Sequence, residues 1–516
     1  MSRTLALPLA TGVMLVGCFN PPELEDSTAG SSTGPGPTTG VDGSSSGMSP
    51  ETTVSSLDGS TGSPETTSGP GTTDGGSSES TAAGPQPDIE VSIDGMVIPS
   101  GGTYPIADTV DVGALGAVVT VTIENVGDDT LTLSGLTPGG PDVSHFAVDI
   151  MGVSPSLGVG ESTSFGLRFA PINGGRKGLL VSVGSDDPDE DPYEITFDAH
   201  TTPNRYRPLA MANPPSARFN MAMAAIPGDR ILMFGGRDNS NTRLNDTWVF
   251  DVEAGTWSQI IPGPSPPIRD AHEMVYIGND TVVLYGGNTV NGGDAVGLAD
   301  TWIFDIVGEN WSQVMTPGPG PRFQHMMVSL GTEALLFGGR TGFTHLNDTW
   351  RFDGATQTWS NLMPAGSTPT GRITSAMAYD GVDIVALYGG FNNNNPLGDT
   401  YEYTVSTNSW TLSPPGISPG IRGTLEGVFL EAGRMIVYSG KADSCCDDPD
   451  PGTFAYDPTP STWVDITPPL EPTPRYNYGM AAVPLRNKAI IFGGQLLNAG
   501  AGSSVTDTIE YVGPRP

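Results

Sequence analysis

Six arginines are the residues whose type and spacing most directly suggest chemistry in this sequence. Each follows a proline-rich turn, and they recur every 50 to 53 residues, at Arg218, Arg269, Arg322, Arg372, Arg422 and Arg475. If the repeated units close into a ring, these guanidinium groups lie on a circle and can bind an anionic ligand through bidentate contacts to its carboxylates. The alternative is that each arginine pairs with an aspartate, such as Asp246 or Asp348, and ties the structure together.

Two histidines are candidates for a metal site. His272 and His325 each lie three residues after one of these arginines, so they occupy equivalent positions in neighbouring units. Two histidines without a third ligand make a poor metal site. The other units fill the same position with Met221, Ser375, Leu425 and Tyr478. We therefore predict no metal and no cofactor, and we interpret the position as one that tolerates histidine, with a metal pair as the alternative.

Cys445 and Cys446 are adjacent in a loop rich in aspartate. They can form a strained vicinal disulfide in an oxidising compartment, remain as two exposed thiols, or lie beside calcium bound by the aspartates. The sequence leaves these alternatives open. The acidic run at 186–191 is a second calcium candidate, but it lacks the spacing and the central glycine of known calcium loops. We favour a solvated hairpin tip for that run.

A repeat of about 50 residues indicates the elements that must position these side chains. An aromatic residue followed by two glycines occurs five times, and Tyr438-Ser439-Gly440 is a degenerate sixth copy. A threonine-aromatic pair follows, and nine residues later there is usually a tryptophan. The apolar run before the glycines predicts a buried strand, which the chain leaves through backbone angles that glycine permits. We expect the two aromatics to fill the wedge between neighbouring four-stranded sheets.

This pattern resembles the kelch repeat over about residues 205–516, and six copies imply a six-bladed kelch β-propeller with a galactose-oxidase-like fold. The resemblance implies either a binding platform or an enzyme. The galactose-oxidase type needs a copper held by two histidines and two tyrosines, and a tyrosine cross-linked to a cysteine. We cannot assign that site to the histidines and cysteines of this sequence. A type similar to the kelch sialate mutarotases needs an arginine and an acid or base at the central mouth, and no particular partner is indicated. We therefore predict no catalytic residues, with a carbohydrate-active enzyme as the alternative.

The closure of the ring can be predicted by counting. From each tryptophan to the arginine of the next unit there are 11 to 13 residues, and the sixth unit ends without its tryptophan strand. Twelve residues before Arg218 stands Tyr206. We infer that the strand around Tyr206 completes the last unit, because closure removes both exposed sheet edges.

Residues 88–203 carry a different pattern. Short segments such as 89–93, 119–124, 164–169 and 193–197 alternate apolar with polar residues, which is typical of half-buried strands in a β-sandwich. Motifs such as Asn125-Val126-Gly127 and Phe169-Ala170-Pro171 resemble the choice-of-anchor D, or Hydin-like, immunoglobulin-type family. That resemblance implies a spacer or adhesion module without chemistry. The fold class we predict is all-β, an immunoglobulin-like β-sandwich followed by the propeller at 204–516.

The first eighteen residues are typical of an export signal. Leu15-Val16-Gly17-Cys18 resembles the bacterial lipobox, which implies that Cys18 is lipidated, and an ordinary secretory peptide is the alternative. Phe19 stands where many inner-membrane lipoproteins have an aspartate, so the resemblance implies the outer membrane in a host with two membranes. Residues 19–87 are nearly all Ser, Thr, Gly, Pro and Ala, with few apolar side chains to bury. We predict that they form a disordered linker.

The net charge of the chain limits the classes of partner that it can bind. Lys and Arg number 22 against 57 Asp and Glu, which gives a formal net charge of −35 over 516 residues. Such a surface argues against nucleic acid, because binding phosphate needs a basic face. We therefore predict a lipoprotein of the cell envelope, at the outer membrane or cell surface, anchored through Cys18. It presents the propeller as a noncatalytic platform for a protein or a glycan.

Overall fold

The structure is a computed structural model. It describes residues 84–289, 297–414, 418–430, 433–442, 449–496 and 503–513. In these ranges the chain is strands and loops, apart from two short 3-10 turns at Val143–His145 and Pro484–Arg486. The all-β fold class is confirmed. No helix in these ranges is long and apolar enough to cross a membrane. The predictions for Cys18, for Cys445 and Cys446, and for all but the last four residues of the linker lie outside the described residues.

Residues 89–200 form two five-stranded sheets that share one core. In sheet order, the first contains Met96–Val97, Ile89–Ile93, Val119–Asn125, Ser162–Phe169 and Phe146–Asp149. The second contains Gly102–Pro105, Tyr193–His200, Arg176–Ser185, Leu131–Gly139 and Ser156–Leu157. Burial alternates along the longest strands, and apolar side chains from both sheets, such as Val121 and Val181, are fully buried between them. The alternation in the sequence therefore placed these strands correctly, because one face of each sheet meets the other sheet.

Residues 205–512 form a ring of six four-stranded sheets, which we number as blades in chain order. Blade 1 comprises Ala222–Ile226, Arg230–Phe234, Thr247–Asp251 and Thr256–Ile260. Blade 2 comprises Glu273–Tyr276, Thr281–Tyr285, Thr301–Asp305 and Asn310–Val314, and blade 3 comprises Met326–Ser329, Glu333–Phe337, Thr349–Asp353 and Thr358–Asn361. Blade 4 comprises Ala376–Tyr379, Ile384–Tyr388, Thr400–Thr404 and Ser409–Leu412, with Ala365–Gly366 added beside its outer strand. Blade 5 comprises Gly427–Phe429, Met435–Tyr438, Thr453–Asp457 and Thr462–Asp465.

Blade 6 closes the ring with two separate parts of the chain. Its three inner strands are Gly479–Val483, Lys488–Phe492 and Thr508–Val512, and its outer strand is Arg205–Leu209. The outer strand runs antiparallel to Thr508–Val512, with Tyr206 opposite Tyr511. The predicted closure through the strand around Tyr206 is confirmed.

Among the described residues, short two-stranded ribbons extend from four blades at the end where the glycine pairs lie. They pair Arg218–Phe219 with Arg237–Asp238, Arg340–Thr341 with Thr344–His345, Phe391–Asn392 with Asn395–Pro396, and Arg475–Tyr476 with Gln495–Leu496. We call this end of the propeller the ribbon face.

One aromatic side chain of each blade fills the wedge beside the preceding blade. The ring of Trp257 lies 5.0 Å from the ring of Phe492, and Trp311 lies 5.1 Å from Phe234. The indole N–H of each such tryptophan also donates to a buried threonine of the preceding blade, as Trp311 does to Thr247 over 3.0 Å. The second predicted wedge residue behaves differently, because Trp248 is only half-buried and its indole donates to Asp246 instead. The later tryptophan therefore fills the wedge, and the earlier aromatic packs against the same core, half-buried at Trp248 and buried at Tyr401.

The glycine pairs are required where neighbouring blades approach each other. Gly235 and Gly236 have φ of 62° and 95°. A Cβ on Gly235 would lie 2.8 Å from the carbonyl oxygen of Arg269 in the next blade. A side chain would therefore force the blades apart as well as strain the backbone.

The sandwich is docked on blades 1 and 6 by buried ion pairs. Lys177 of the sandwich is fully buried and places its Nζ 2.6 Å from Oε2 of Glu253 in blade 1. His145 of the sandwich lies 2.5 Å from the other oxygen of the same carboxylate. In blade 6, Oε1 of Glu510 accepts the backbone N–H of Gly174 over 3.0 Å, and Lys488 pairs with Glu510 within the blade. The sandwich and the propeller are therefore held together at charged groups, of which Lys177 and Glu510 are buried and Glu253 is 32% exposed.

Candidate binding site at the ribbon face

A closed circle of backbone hydrogen bonds surrounds the propeller axis. It is made by the residue two positions after each repeat arginine, and all six have φ between 52° and 56°. Each donates its N–H to the carbonyl of the equivalent residue in the preceding blade, over 2.8 to 3.1 Å. The members of this collar are Asn220, Ala271, Gln324, Thr374, Thr424 and Asn477. Since every one of these N–H groups is used in the collar, a ligand at the mouth must be recognised by side chains.

A cavity lies inside the collar. It contains about 430 Å³ of empty space, including its open mouth, and the collar side chains and the residues that follow them line it. Most collar side chains are neutral and polar, and the oxygens Oε1 of Gln324 and Oγ1 of Thr374 are buried without a hydrogen-bond partner. The mouth of the channel is therefore a polar site that the protein's own groups leave partly unsatisfied.

The six repeat arginines lie below this mouth and are buried. Arg218, Arg269, Arg322, Arg372, Arg422 and Arg475 are each at most 4% exposed. Five of them make bidentate contacts to the aspartate that opens the third strand of the same blade, as Arg269 does to Asp300 over 2.9 and 2.7 Å. Arg422 differs, because its Nη1 donates to the carbonyls of Ser439, Asp450 and Pro451, and its Nη2 lies 3.2 Å from the Asp450 carboxylate.

These contacts favour the ion-pair alternative for the arginines. Burial alone would raise the pKa of Asp246, Asp300 and Asp348, but the hydrogen bond and the charge of each arginine, with the Trp hydrogen bond, together outweigh burial and hold each pKa below its usual value. Each guanidinium also donates to the carbonyl of the first residue of the glycine pair, such as Gly235 for Arg218. The arginines therefore join the strand ends within each blade. None of these contacts supports the prediction that the arginines bind an external ligand.

His272 and His325 are each 1% exposed and lie in wedges between blades. The ring of His272 packs edge-on against Phe234 at 5.5 Å, and His325 packs against Tyr285 at 5.7 Å. Burial lowers the pKa of both imidazoles, that of His325 to about 3, so they remain neutral. Within the described ranges neither histidine belongs to a group of three metal-ligating side chains. The position therefore behaves as one that tolerates histidine.

The acidic run at 186–191 is divided between backbone contacts and a small carboxylate group. Asp186 and Asp191 accept backbone N–H groups of Thr132 and Ser185. Asp187 and Glu190 approach Asp88 closely enough to offer three carboxylate oxygens within 4.8 Å of one another. Asp187 already accepts the N–H of Ile89 over 2.8 Å. The predicted solvated tip therefore holds for Asp186 and Asp189, which are exposed, but not for Asp187, which is 2% exposed and ties the tip to the first strand.

Three cations at the ribbon face were missed by the sequence analysis. They occupy the position directly after the glycine pair in alternate blades, namely Arg237 in blade 1, Arg340 in blade 3 and Lys441 in blade 5. Each lies over an aromatic ring, at 5.5, 4.6 and 5.1 Å from Phe219, Phe323 and Tyr476 respectively. Each of these rings directly precedes a collar residue. The sequence shows them as a basic residue directly after the glycine pair in every second unit.

Arg340 differs from the other two cations. Arg237 is paired with Asp270 at 2.6 Å, whereas no carboxylate in the described ranges pairs with Arg340. The Nε–H of Arg340 is buried without an acceptor. Burial lowers the pKa of its guanidinium, and the charge of Arg340 adds to burial in lowering the pKa of His345 beside it. A guanidinium that is stacked on the ring preceding the collar residue Gln324, and that has no carboxylate partner among the described residues, can receive a carboxylate in a bidentate contact.

The sequence matches the family model described as the KLHDC2/KLHL20/DRC7 Kelch-repeats domain at residues 183–339, 261–423 and 318–494. It is 36% identical over 139 residues to the F-box/kelch-repeat protein At1g51550 of Arabidopsis thaliana, which covers 24% of this chain and 28% of that protein. It is 28% identical over 204 residues to the Rab9 effector protein with kelch motifs of Bos taurus, which covers 38% of this chain and 52% of that protein. These matches span about half or less of each relative's length.

Among solved structures, the chain is similar to one described as the structure of YjhT, with a TM-score of 0.47 and 17% sequence identity. The similarity covers 58% of this chain and 96% of that chain.

Proposed function

Because this chain belongs to the KLHDC2/KLHL20/DRC7 Kelch-repeats domain family, we propose that its propeller is a noncatalytic platform that binds a carboxylate-bearing partner at the ribbon face. A protein is the favoured partner, since two similar proteins are described as an F-box protein and as a Rab9 effector. A glycan carrying carboxylates is the second possibility for the same site. The observation that carries the proposal is the unpaired guanidinium of Arg340.

Electrostatics supports this choice of ligand. In a chain of net charge −35, most of the surface repels an anion, so a local group of cations selects where an anion can approach. Arg340 is held against Phe323, and no carboxylate among the described residues competes with a ligand for it. Gln324, which directly follows the aromatic ring under Arg340, offers a neutral polar side chain in the same blade.

The test is binding of the full chain to an array of peptides that contain Asp, Glu or a free carboxyl terminus, with an array of acidic glycans in parallel. Arg340→Ala should weaken binding by at least about tenfold, because it removes a charge-assisted bidentate contact. Arg340→Lys should recover little of it. The matched control is Arg351→Ala, in a strand of blade 3. The side chain of Arg351 is 39% exposed. Equal binding by wild type and Arg340→Ala would contradict the proposal.

The remaining parts of the chain complete the proposal. Cys18 carries a lipid anchor at the outer membrane or cell surface, and residues 19–87 are a flexible linker. The sandwich is an immunoglobulin-type spacer that holds the propeller at a distance from the membrane. What supports this arrangement is the lipobox-like sequence ending at Cys18, the composition of the linker and the alternating strands of 88–203.

A further inference from the structure

Two glutamates face the propeller axis from opposite sides of the ring. Glu273 and Glu426 both lie four residues after the repeat arginine, in blades 2 and 5. These blades are opposite each other in a ring of six. The other four blades carry Ala222, Met326, Ala376 and Gly479 at this position. The channel is therefore crossed at one level by two carboxylates and otherwise by small or apolar side chains.

The two carboxylates divide the channel into a polar and an apolar part. Both line the polar cavity inside the collar, and both also line the wider cavity on the other side. Around that second cavity five blades place a methionine at the next position along the strand: Met223, Met274, Met327, Met377 and Met480. A hydrated solute that enters through the collar therefore reaches the carboxylates before the wall becomes apolar.

Neither glutamate has a cation or a hydrogen-bond donor for its carboxylate among the described residues. Burial raises the pKa of Glu426 to about 8. Burial and the charge of Glu426 raise the pKa of Glu273 well above its usual value. The nearest arginines are occupied, because Arg269 is paired with Asp300. Two half-buried carboxylates that face one channel without a counter-charge are costly to ionise, so a cation that reached them would be bound strongly.

Other side chains in the same cavity also lack partners. His325 is 1% exposed, and neither of its ring nitrogens has a hydrogen-bond partner. The buried oxygens of Gln324 and Thr374 are likewise unpartnered. All three residues line the collar cavity together with the glutamates. Polar atoms from blades 3 and 4 thus complement the carboxylates of blades 2 and 5 around one volume.

We propose that this channel holds one hard divalent cation, of the Ca²⁺ or Mg²⁺ class, between Glu273 and Glu426. Two carboxylates neutralise its charge, and the side-chain oxygens of Gln324 and Thr374 are hard donors of the kind that such ions prefer. No third carboxylate or imidazole in the described ranges lies close enough to complete a compact tetrahedral set. Water therefore completes the coordination sphere, and the imidazole of His325 accepts a hydrogen bond from that water.

The test is a titration of the full, metal-free chain with CaCl₂ and, separately, with MgCl₂. Calorimetry measures the binding, and thermal melting measures the change in stability. It is run above the pKa of Glu426, because protons and the cation compete for the same carboxylates. Binding at about 10 mM ion or below, with a rise in melting temperature, is expected. Glu273→Gln and Glu426→Gln should each weaken binding at least about tenfold. Both variants should fold, because they remove repulsion rather than a contact.

Two control variants separate this site from other carboxylates. Glu309→Gln removes an exposed acid from blade 2, and Asp88→Asn with Glu190→Gln removes the carboxylate group of the sandwich. Both should bind the ion as the wild type does. The proposal is overturned if neither ion changes the melting of the wild type at about 10 mM, if Glu273→Gln with Glu426→Gln binds as tightly as the wild type, or if only the sandwich variant loses binding.

Discussion

The hydroxyl of Tyr206 lies 2.9 Å from the hydroxyl of Thr453, and this contact is the sixth member of a ring of equivalent contacts. In the other five blades a tryptophan indole donates to the matching threonine over 2.9 to 3.1 Å. Tyr206 also packs on Tyr438, with ring centres 5.0 Å apart. The strand that closes the propeller thus repeats the packing of the other blades with a different aromatic residue.

Removing this closing contact should destabilise the whole ring. Tyr206→Ala leaves a cavity beside Tyr438 and should lower the free energy of unfolding by about 3 kcal/mol. Tyr206→Phe keeps the ring and loses only the hydrogen bond to Thr453, so it should cost about 1 kcal/mol. The measurement is denaturant unfolding of both variants. Equal stabilities of Tyr206→Ala and wild type would mean that blade 6 closes without this side chain.

The repeat arginines should contribute to stability. Arg322→Ala with Arg372→Ala leaves Asp348 and Asp399 in partly buried positions without their partners. We expect a loss of at least about 2 kcal/mol for each pair, observed as a clear fall in melting temperature. Arg351→Ala, at the surface of blade 3, is the control and should change the melt little. An unchanged melt of the double variant with lost ligand binding would instead restore the arginines as binding residues.

Stability should decrease as the pH rises through the titration of the channel glutamates. The pKa of Glu426 is about 8 in the folded state and has its usual value of 4.5 when unfolded. Between these values the folded state binds more protons, so the free energy of unfolding falls with pH, by up to about 1.4 kcal/mol per unit. Above about pH 8 this contribution levels off. The buried imidazoles of His272 and His325 oppose this slope below about pH 6.5, because burial lowers their pKa, that of His325 to about 3, and there the unfolded state binds their protons. The fall in stability is therefore expected between about pH 6.5 and pH 8.

The measurement is the free energy of unfolding at several pH values in the presence of a chelator. Glu426→Gln should reduce the fall between about pH 6.5 and pH 8, and Glu309→Gln should not. A profile that is the same in Glu426→Gln as in wild type would show that the slope arises elsewhere.

The docking of the sandwich should depend on Lys177. Lys177→Ala leaves Glu253 facing His145 without its main counter-charge, at a site where the lysine is fully buried. Breaking a buried pair in this way should cost about 3 kcal/mol and let the sandwich and propeller melt in two steps. Calorimetry of the full chain separates one transition from two. Arg176→Ala is the control, because that side chain is 39% exposed, and a single unshifted transition in Lys177→Ala would contradict this account.

The proposed anchor can be tested by fractionation. Cys18→Ser should move the protein from the membrane fraction to the soluble fraction, because covalent acyl chains hold it by burying their methylenes in lipid. Persistence of the variant in washed membranes at high salt would show that another feature attaches the chain. Ser27→Ala, in the following linker, is a suitable control.

The sequence by itself determined the repeat, the number of blades and the closing strand. These follow from local regularities: the apolar run before each glycine pair, the spacing of tryptophans such as Trp257 and Trp311, and the count that leads back to Tyr206. Each unit must bury the same faces against its neighbours, so the same residue types recur wherever the packing recurs. The alternating segments of 88–203 identified the strands of the sandwich for a similar reason.

Only the tertiary structure decided which charged residues are available to a ligand. Repeat position alone does not say whether a guanidinium meets an aspartate or the mouth of the channel, because that depends on the strand that pairs beside it. Arg322 proved to be buried against Asp348, whereas Arg340 lies on Phe323 with no carboxylate partner in the described part of the chain. Glu273 and Glu426 are 153 positions apart, and only the closed ring places them on opposite sides of one channel.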